Sequence, residues 1–247
     1  MKRISKITAW KAMLKQLIIC QNIEEKNQLL DRIILAKGPR VLSFLNAHAA
    51  NLVWTEKSFR KTLLNSDYLL RDGSGIHLFL SLLKISPGLN LNGTDLIPEI
   101  LDKMKKDSRI AVYGTKGEYL KKGVAAIKKK GFNNITSENG FHNEAYYLEQ
   151  YQTQKPDLVI LAMGMPKQEN ISISLRNATN EDNNVLIING GGIIDFISEK
   201  VPRSPEFMRQ MGIEWLFRLV RDPLRLWKRN LGSILFLIRA FFFSRNM

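Results

Sequence analysis

Short apolar runs, separated by longer stretches of helical periodicity, dominate the hydrophobic pattern of this chain. Each run has the length and composition of a strand that is buried on both faces of a sheet. The alternation predicts an α/β, Rossmann-like fold, in which helices cover both faces of a parallel sheet. The predicted strands cover residues 41–45, 68–70, 110–113, 134–136, 157–163 and 185–188.

The segments between these runs predict helices. The first 37 residues are largely helical in pattern, and Gly38 and Pro39 end that pattern. Pro98 falls in the first turn of a helix that is predicted to begin at Leu96, where proline is tolerated. The predicted helices cover residues 1–37, 49–65, 76–83, 96–106 and 118–130, and one further helix ends near residue 178.

The alternation stops at residue 201. Pro202 and Pro205 interrupt the chain there, and residues 208–243 contain helical patterns only. We therefore predict two parts: an α/β domain over residues 1–200, which carries the chemistry, and a helical C-terminal appendage over residues 201–247.

Composition and charge narrow the class of protein. A hydrophobic content of 45% with 24% charged residues is typical of a globular chain. Cys20 is the single cysteine, which excludes an internal disulfide framework and favours a reducing compartment. No secretion signal follows the basic N-terminus, so a cytoplasmic location is expected. The net charge of +14 indicates an anionic partner.

Much of the basic charge lies in the predicted appendage. Residues 203–245 mix arginine and lysine with tryptophan, phenylalanine and leucine, which suits a lipid headgroup region better than a DNA groove. Arg239 interrupts the apolar run that starts at Ile234, and the run is shorter than the ~20 residues of a transmembrane helix. We therefore predict a basic amphipathic element that associates with an anionic membrane surface without spanning it.

The residues after the predicted strand 68–70 form a compact turn. Asp72 is followed by Gly73 and Gly75, and helical periodicity begins at Ile76. In α/β folds a turn at this place faces the crevice where ligands bind. The third glycine of a dinucleotide fingerprint is missing, which argues against a nicotinamide cofactor. From the residues alone, Asp72 is either a turn residue or a reacting carboxylate.

Two later strands also end in glycine-containing segments. Residues 164–169 bring Lys167, Gln168 and Glu169 to the start of a helix, and the helix dipole accounts for the glutamate only. Residues 190–192 are three glycines, which let a backbone approach a phosphate. The histidines and the cysteine lack the spacing of metal ligands, so we expect no metal and no cofactor.

In their order along the chain, these segments resemble the WecG/TagA/CpsF family of bacterial glycosyltransferases. The resemblance spans roughly residues 41–229. The matching segments are residues 46–47, 72–76, 92–96, 113–114, 164–169, 189–196, 202–205, 212–219 and 222–229.

The resemblance implies an inverting, metal-independent transfer of a sugar from a UDP-sugar to a polyprenyl-diphosphate-linked saccharide, by an enzyme peripheral on the inner face of the cell membrane. It implies that Asp72 is the general base, because an inverting transfer needs a carboxylate to take the proton of the attacking hydroxyl. With no metal implied, the leaving UDP needs other cationic or hydrogen-bonding groups. The groups predicted for this task are Lys167, Gln168, Arg218, Arg225 and Lys228.

The predicted site residues lie mainly in the turns that follow the strands. The predicted catalytic residues are Asp72, Gln168, Arg218 and Arg225. The predicted substrate-binding residues are Asn46, Gly73, Gly75, Asn90, Asn92, Thr94, Asp95, Gly114, Gly164, Lys167, Gly191, Gly192, Asp195 and Lys228. The expected partners are the UDP-sugar, the lipid-linked acceptor and the membrane surface, but no nucleic acid, and a homo-oligomer stays open.

Two positions depart from the family pattern. Members that transfer N-acetylmannosamine usually carry threonine where this chain has Phe44, and often carry arginine where it has Asn90. Loss of an arginine removes a charge-assisted contact, so the donor stays open between N-acetylmannosamine and glucose. The alternatives outside this family are a non-catalytic basic module that binds membranes or nucleic acid, and a nicotinamide-dependent oxidoreductase.

Overall fold

A computed structural model describes residues 5–200, residues 205, 208 and 217, and residues 223–245, with side chains from residue 232 onward in the last segment. Seven strands in the described chain form one parallel sheet with the order β1–β3–β2–β7–β6–β4–β5. The strands are β1 (Leu17–Ile18), β2 (Pro39–Leu45), β3 (Tyr68–Arg71), β4 (Ile110–Gly114), β5 (Ile135–Glu138), β6 (Leu158–Ala162) and β7 (Val185–Asn189). The predicted parallel α/β sheet is confirmed.

Eleven helices surround this sheet in the described residues. The helices are α1 (Lys6–Gln16), α2 (Ile23–Leu35), α3 (Ala47–Thr55), α4 (Lys57–Leu63), α5 (Ser74–Leu82), α6 (Gly93–Lys103), α7 (Gly117–Lys129), α8 (Glu144–Gln154), α9 (Lys167–Asn177), α10 (Ile193–Ile197) and α11 (Pro223–Ser244).

Three boundaries differ from the sequence prediction. The helix that was predicted over residues 1–37 is two helices with β1 between them, and the one over residues 49–65 is divided at Glu56, whose extended backbone ends α3 and begins α4. The helix predicted from Leu96 begins at Gly93, because the Asn92 side chain accepts a hydrogen bond from the backbone of the first turn. Pro98 therefore lies in the second turn rather than the first.

Strand alternation divides the core into two layers. Successive side chains on a strand point to opposite faces, and here even-numbered positions pack against α2, α6, α7 and α10. Odd-numbered positions pack against α8 and α9 near β4, β6 and β7, and against α1, α3, α4, α5 and α11 near β2 and β3. The predicted coverage of both sheet faces is confirmed.

The C-terminal helix α11 packs on the second of these layers. Its Phe236 and Phe243 rings are buried, with centroids 5.7 and 5.3 Å from that of Trp10. Arg239 donates to the Asn51 side chain at 2.7 Å. The last part of the predicted appendage therefore contributes to the core, and the predicted boundary at residue 200 stays a prediction.

None of the helices in the described part of the chain combines the length and hydropathy that a membrane span requires.

Candidate active site

The carboxyl ends of the strands bring most of the predicted residues to one edge of the sheet. The chain leaves β3 on one side of β2 and enters β4 on the other, so the strand order reverses between them. Open α/β sheets bind ligands outside their carboxyl ends at such a reversal. Asn46 follows β2, Asp72 follows β3, and the glycine turns follow β6 and β7.

Asp72 is held at the end of β3 by the neighbouring strand. Its backbone N–H donates to the Leu45 carbonyl at 2.8 Å. Asn46 Nδ2 donates to Asp72 Oδ2 at 3.3 Å, while Asn46 Oδ1 accepts from the Ala49 N–H at 3.0 Å. The cap of α3 thus fixes the amide that orients this partly buried carboxylate.

A buried arginine joins the turn after Asp72 to the segment before α6. Arg71 is 3% exposed, and its guanidinium donates to the carbonyls of Gly73 and residues 88–89 at 3.0–3.3 Å. The Gly73 N–H donates to Asn90 Oδ1 at 2.9 Å, and its φ of +85° suits glycine. Burial lowers the pKa of the Arg71 guanidinium, and the charge of Asp72 opposes the shift.

Asn92, Thr94 and Asp95 form the cap of α6. Asn92 Oδ1 accepts from the Asp95 N–H at 3.0 Å and from the Thr94 hydroxyl, and Asn92 Nδ2 donates to Asp95 Oδ2 at 2.7 Å. A cavity of about 410 Å³ opens beside this cap and is lined partly by Asn90. Its volume suits a sugar-sized ligand, and Asn90, Asn92 and Asp95 are among the residues that line it.

The Gln168 side chain joins the glycine-containing turns after β6 and β7 by hydrogen bonds. The side chain is fully buried, and its Oε1 accepts from the N–H groups of Gly164 at 3.2 Å and Gly191 at 3.0 Å. Its Nε2 donates to Glu169 Oε1 at 2.8 Å. These contacts hold the turns after β6 and β7 at a fixed separation, and the predicted catalytic role of Gln168 stays a prediction.

Glu169 lies in a buried polar cluster beneath the same turns. The carboxyl group is 1% exposed, and burial raises its pKa to about 7. Asn189 Nδ2 donates to Ser43 at 2.8 Å and to Ser172 at 3.1 Å. Glu169 Oε2 and Asn189 Oδ1 find no hydrogen-bond partner among the described residues. A neutral carboxyl group suits this environment, because an uncompensated buried charge is costly.

The turn after β4 forms the far side of the edge. A Cβ on Gly114 would stand 2.2 Å from the Ala162 carbonyl oxygen, so only glycine fits. Thr115 donates to Asp195 Oδ1 at 3.0 Å. Lys167 Nζ donates to the carbonyls of Gly140 and His142 at 2.8 and 2.7 Å, and burial lowers its pKa.

Three predicted cationic residues fall outside this description. Arg218 lies outside the described residues, and Arg225 and Lys228 lie in α11 where side chains are not described. Their roles stay predictions.

A sequence model of the Glycosyl transferase WecG/TagA/CpsF family matches residues 14–246. The chain belongs to this family. The resemblance stated from the motifs is confirmed, and so is the enzyme class: the protein is a glycosyltransferase.

Two relatives in the WecG/TagA/CpsF family carry the name N-acetylglucosaminyldiphosphoundecaprenol N-acetyl-beta-D-mannosaminyltransferase. The protein from Bacillus subtilis (strain 168) is 29% identical over 197 residues, which cover 78% of this chain and 75% of the relative. The protein from Bacillus spizizenii is 27% identical over 181 residues, which cover 70% of this chain and 68% of the relative.

The structure of this WecG/TagA/CpsF glycosyltransferase divides the predicted residues into three groups. Hydrogen bonds join Asn46 to Asp72 and Asn90 to Gly73 at one end, and Gly164 to Gly191 through Gln168 in the middle. Gly114, Lys167 and Asp195 lie around the turn after β4.

Sequence reasoning missed the contributions of Arg71, Thr115 and the loop at residues 139–142. The dipeptide Asn139-Gly140 was the available signal for that loop, since this pair favours tight turns. Nothing local to the sequence indicates that Lys167 reaches it.

Proposed function

We propose that this glycosyltransferase moves a hexose or N-acetylhexosamine from a UDP-sugar to a hydroxyl of a polyprenyl-diphosphate-linked saccharide, with inversion and without a metal. The names of the two relatives support a lipid-linked acceptor of this type. The reaction belongs to the synthesis of cell-surface polysaccharide, on the inner face of the cell membrane.

Asp72 is the general base in this proposal. Its carboxylate takes the proton of the acceptor hydroxyl while that oxygen forms a bond to the anomeric carbon. The bond from the anomeric carbon to the diphosphate breaks on the opposite face, and UDP leaves with the electron pair. Inversion follows because attack and departure occur on opposite faces in one step.

The observation that carries the proposal is the setting of Asp72. The carboxylate is only partly buried and lies at the ligand-binding edge of the sheet. Asn46 orients it through a helix cap, and the adjacent residue, Gly73, is hydrogen-bonded to Asn90, which lines the 410 Å³ cavity. A partly exposed carboxylate that is held in one orientation at the ligand-binding edge of the sheet is what a general base requires.

The negative charge of the leaving UDP needs positive partners. The hydrogen bonds of Gln168 and Lys167 described above are all made to other groups of the protein. We therefore assign charge stabilisation chiefly to Arg218, Arg225 and Lys228 of the C-terminal appendage. Gln168 and Lys167 then act by fixing the turns that receive the diphosphate.

The exposed side of α11 supports attachment to a membrane surface. Ile234, Leu235, Ile238, Phe241 and Phe242 are each 44–59% exposed. Leu78 and Leu82 are also exposed on α5, against which α11 packs. Large apolar side chains near Arg239 and Arg245 match an interfacial helix on anionic lipid.

The identity of the sugar is the remaining part of the proposal. Phe44 packs under the cap of α6, where a Cβ on Gly93 would stand 3.1 Å from its ring. The Asn90 amide oxygen is bonded to the Gly73 N–H and carries no charge toward the cavity. We retain N-acetylmannosamine and glucose as the two donors to compare.

The test is incubation with single labelled UDP-sugars and polyprenyl-diphosphate-linked acceptors, with and without EDTA. We expect transfer from one donor, an inverted anomeric configuration in the product, and equal rates in EDTA. Absence of transfer from every UDP-sugar contradicts the donor class, whereas loss of transfer in EDTA contradicts only metal independence.

A further inference from the structure

Two oppositely charged side chains form part of the wall of the 410 Å³ cavity beside α6. Lys26, near the start of α2, donates to both carboxylate oxygens of Glu99 on α6, at 2.7 and 3.0 Å. The Lys26 side chain is 16% exposed and that of Glu99 is 39% exposed. The pair is therefore partly withdrawn from solvent, and a ligand in the cavity can reach both of its members.

The same two helices are joined by a second ion pair. Lys103 on α6 donates to Asp31 on α2 at 2.6 Å, and these side chains are 38% and 56% exposed. Neither of them lines the cavity. The comparison separates two roles: both pairs join α2 to α6, but of the two only the Lys26–Glu99 pair faces the cavity.

The charges in the cavity wall favour a neutral ligand that is rich in hydroxyl groups. Lys26 contributes one positive charge, whereas Glu99 and Asp95 contribute two negative charges. An excess of carboxylates repels a diphosphate. A sugar hydroxyl, in contrast, donates to a carboxylate and accepts from an ammonium group, and Lys26 keeps a third N–H beyond the two that it donates to Glu99.

Backbone hydrogen bonds place the cavity along the carboxyl edge of the sheet. Its wall at residues 89–91 is bonded to the chain that leaves β1 and β3: the Leu89 N–H donates to the Cys20 carbonyl at 2.7 Å, and the Leu91 N–H donates to the Arg71 carbonyl at 3.1 Å. The strand order puts β7 and β6 on the other side of β3 from β1. The cavity therefore belongs to the β1–β3 end of the edge, and the turns assigned to the diphosphate belong to its middle.

We propose that this cavity holds the saccharide of the lipid-linked acceptor, with the Lys26–Glu99 pair binding its hydroxyl groups. The inference rests on the proposed function, in which attack and departure occur on opposite faces of the anomeric carbon. The acceptor must then approach from the side away from the diphosphate, and the cavity is on that side. Asn90 joins the cavity to the turn after Asp72, because its Oδ1 accepts from the Gly73 N–H at 2.9 Å.

Three substitutions in the full chain test the inference. The measurements are transfer kinetics with the UDP-sugar and polyprenyl-diphosphate-linked saccharide that the parent uses, and calorimetric titration with UDP. Lys26→Met removes the ammonium group, Glu99→Gln removes the carboxylate charge, and Ile23→Trp adds bulk at an exposed position that lines the cavity. We expect each to raise the acceptor KM about fivefold to fiftyfold, as loss of hydrogen bonds to charged groups does. UDP affinity and kcat at saturating acceptor should stay within about twofold of the parent values.

Lys103→Met and Asp31→Asn are the matched controls, because they break the other ion pair between α2 and α6. Both should keep the acceptor KM of the parent. The melting temperatures of Lys26→Met and Lys103→Met should be similar, since each variant loses one ion pair between the same helices.

An unchanged acceptor KM in Lys26→Met and Ile23→Trp overturns the inference. An equal rise in Lys103→Met also overturns it, because the ion pairs would then act through the packing of α2 on α6. A raised donor KM with an unchanged acceptor KM places the donor sugar in the cavity instead. If the parent transfers no sugar to any lipid-linked saccharide, the proposed function fails together with this inference, whereas the three preceding outcomes leave the proposed function intact.

Discussion

Asp72 and Glu169 each accept a hydrogen bond from a side-chain amide, but in two different environments. In each, a side-chain amide donates to a carboxyl group: Asn46 to Asp72 at 3.3 Å, and Gln168 to Glu169 at 2.8 Å. Asp72 is partly buried at the edge of the sheet, whereas Glu169 is buried beneath it. Burial separates a carboxylate that a substrate can reach from a carboxyl group that no substrate can touch.

The difference assigns the two groups opposite tasks. A general base must contact the acceptor hydroxyl, and this requires an accessible carboxylate. Burial raises the pKa of Glu169 to about 7, so its neutral form is favoured where the structure needs a hydrogen-bonding partner rather than a charge. We therefore expect substitutions at Asp72 to affect turnover and substitutions at Glu169 to affect stability.

The largest expected effect is on turnover in Asp72→Asn. The amide keeps the shape of the side chain but cannot accept a proton, so turnover should fall about 10²- to 10⁴-fold. UDP affinity and the melting temperature should stay at the parent values. Steady-state transfer assays with titration of UDP measure both.

Asp31→Asn is the matched control for that substitution. Asp31 is exposed and pairs with Lys103 at 2.6 Å, away from the strand carboxyl ends. It should keep full turnover. A loss of UDP affinity in Asp72→Asn equal to the loss of turnover would show that Asp72 acts in binding, contrary to its assignment as a base.

Substitution of Glu169 should produce the next largest effect. This effect is on the free energy of unfolding, and it depends on pH in a defined way. Its pKa rises from 4.5 in the unfolded chain to about 7 in the folded one. The folded state therefore binds the proton more tightly, and the stabilisation is complete below pH 4.5 and is lost as the pH rises through about 7. Below pH 4.5 this contribution to the free energy of unfolding is on the order of 3 kcal/mol.

Glu169→Gln removes this titration. Its stability relative to the parent should rise between pH 5 and pH 8 in urea unfolding, while its turnover stays near normal. Glu169→Ala leaves the Gln168 amide without its acceptor and should be less stable than Glu169→Gln at every pH. A stability difference between Glu169→Gln and the parent that is independent of pH would contradict a buried neutral acid.

Substitution of Arg71, whose buried guanidinium supports the turn after Asp72, should have a smaller effect. Arg71→Lys loses the fork that reaches three carbonyls, and we expect a cost of about 1–3 kcal/mol in unfolding free energy. Turnover should fall more than UDP affinity, because the displaced group is the Asp72 turn. Equal changes in kcat and UDP affinity would indicate a general loss of structure.

The smallest expected effect concerns Asn46. Asn46→Ala removes the α3 cap, at about 1 kcal/mol, together with the contact to Asp72. Asn46→Asp keeps the cap but sets a second carboxylate against Asp72, so it should keep stability and lose only part of the turnover. Thermal melts and transfer rates of the two Asn46 variants separate the effect of the α3 cap from that of the contact with Asp72. Full turnover in Asn46→Asp would contradict an orienting role for that contact.

Much of the fold could be predicted because strands buried on both faces are long apolar runs. The two-residue strand β1 could not, since Leu17 and Ile18 show no period of their own and lie inside a helical pattern. Helix α8 was missed because its buried residues, Tyr147 and Tyr151, are aromatic and the rest of its stripe is polar. Strand β1 is held by pairing with β3, and α8 by packing of its two tyrosines against the sheet.

The candidate site, too, has features that could be predicted from the sequence and features that could not. Asp72 and Asn46 follow strands, so their place at the carboxyl edge could be predicted from chain order. The joining of Gly164 to Gly191 by Gln168 could not, because it depends on the adjacency of β6 and β7 and on the burial of one side chain. Nor does sequence distinguish Asp72 from Glu169, since accessibility is a property of the folded chain.

Chemical rescue by formate tests the central claim most directly. In Asp72→Ala a small carboxylate can enter from solvent and take the acceptor proton, so turnover should be very low without formate and rise saturably with its concentration. Glu169→Ala, whose vacated space is closed to solvent, should show no response at the same concentrations. Near-normal turnover of Asp72→Ala without formate, or an equal response in the two variants, would contradict the assignment of Asp72 as the base.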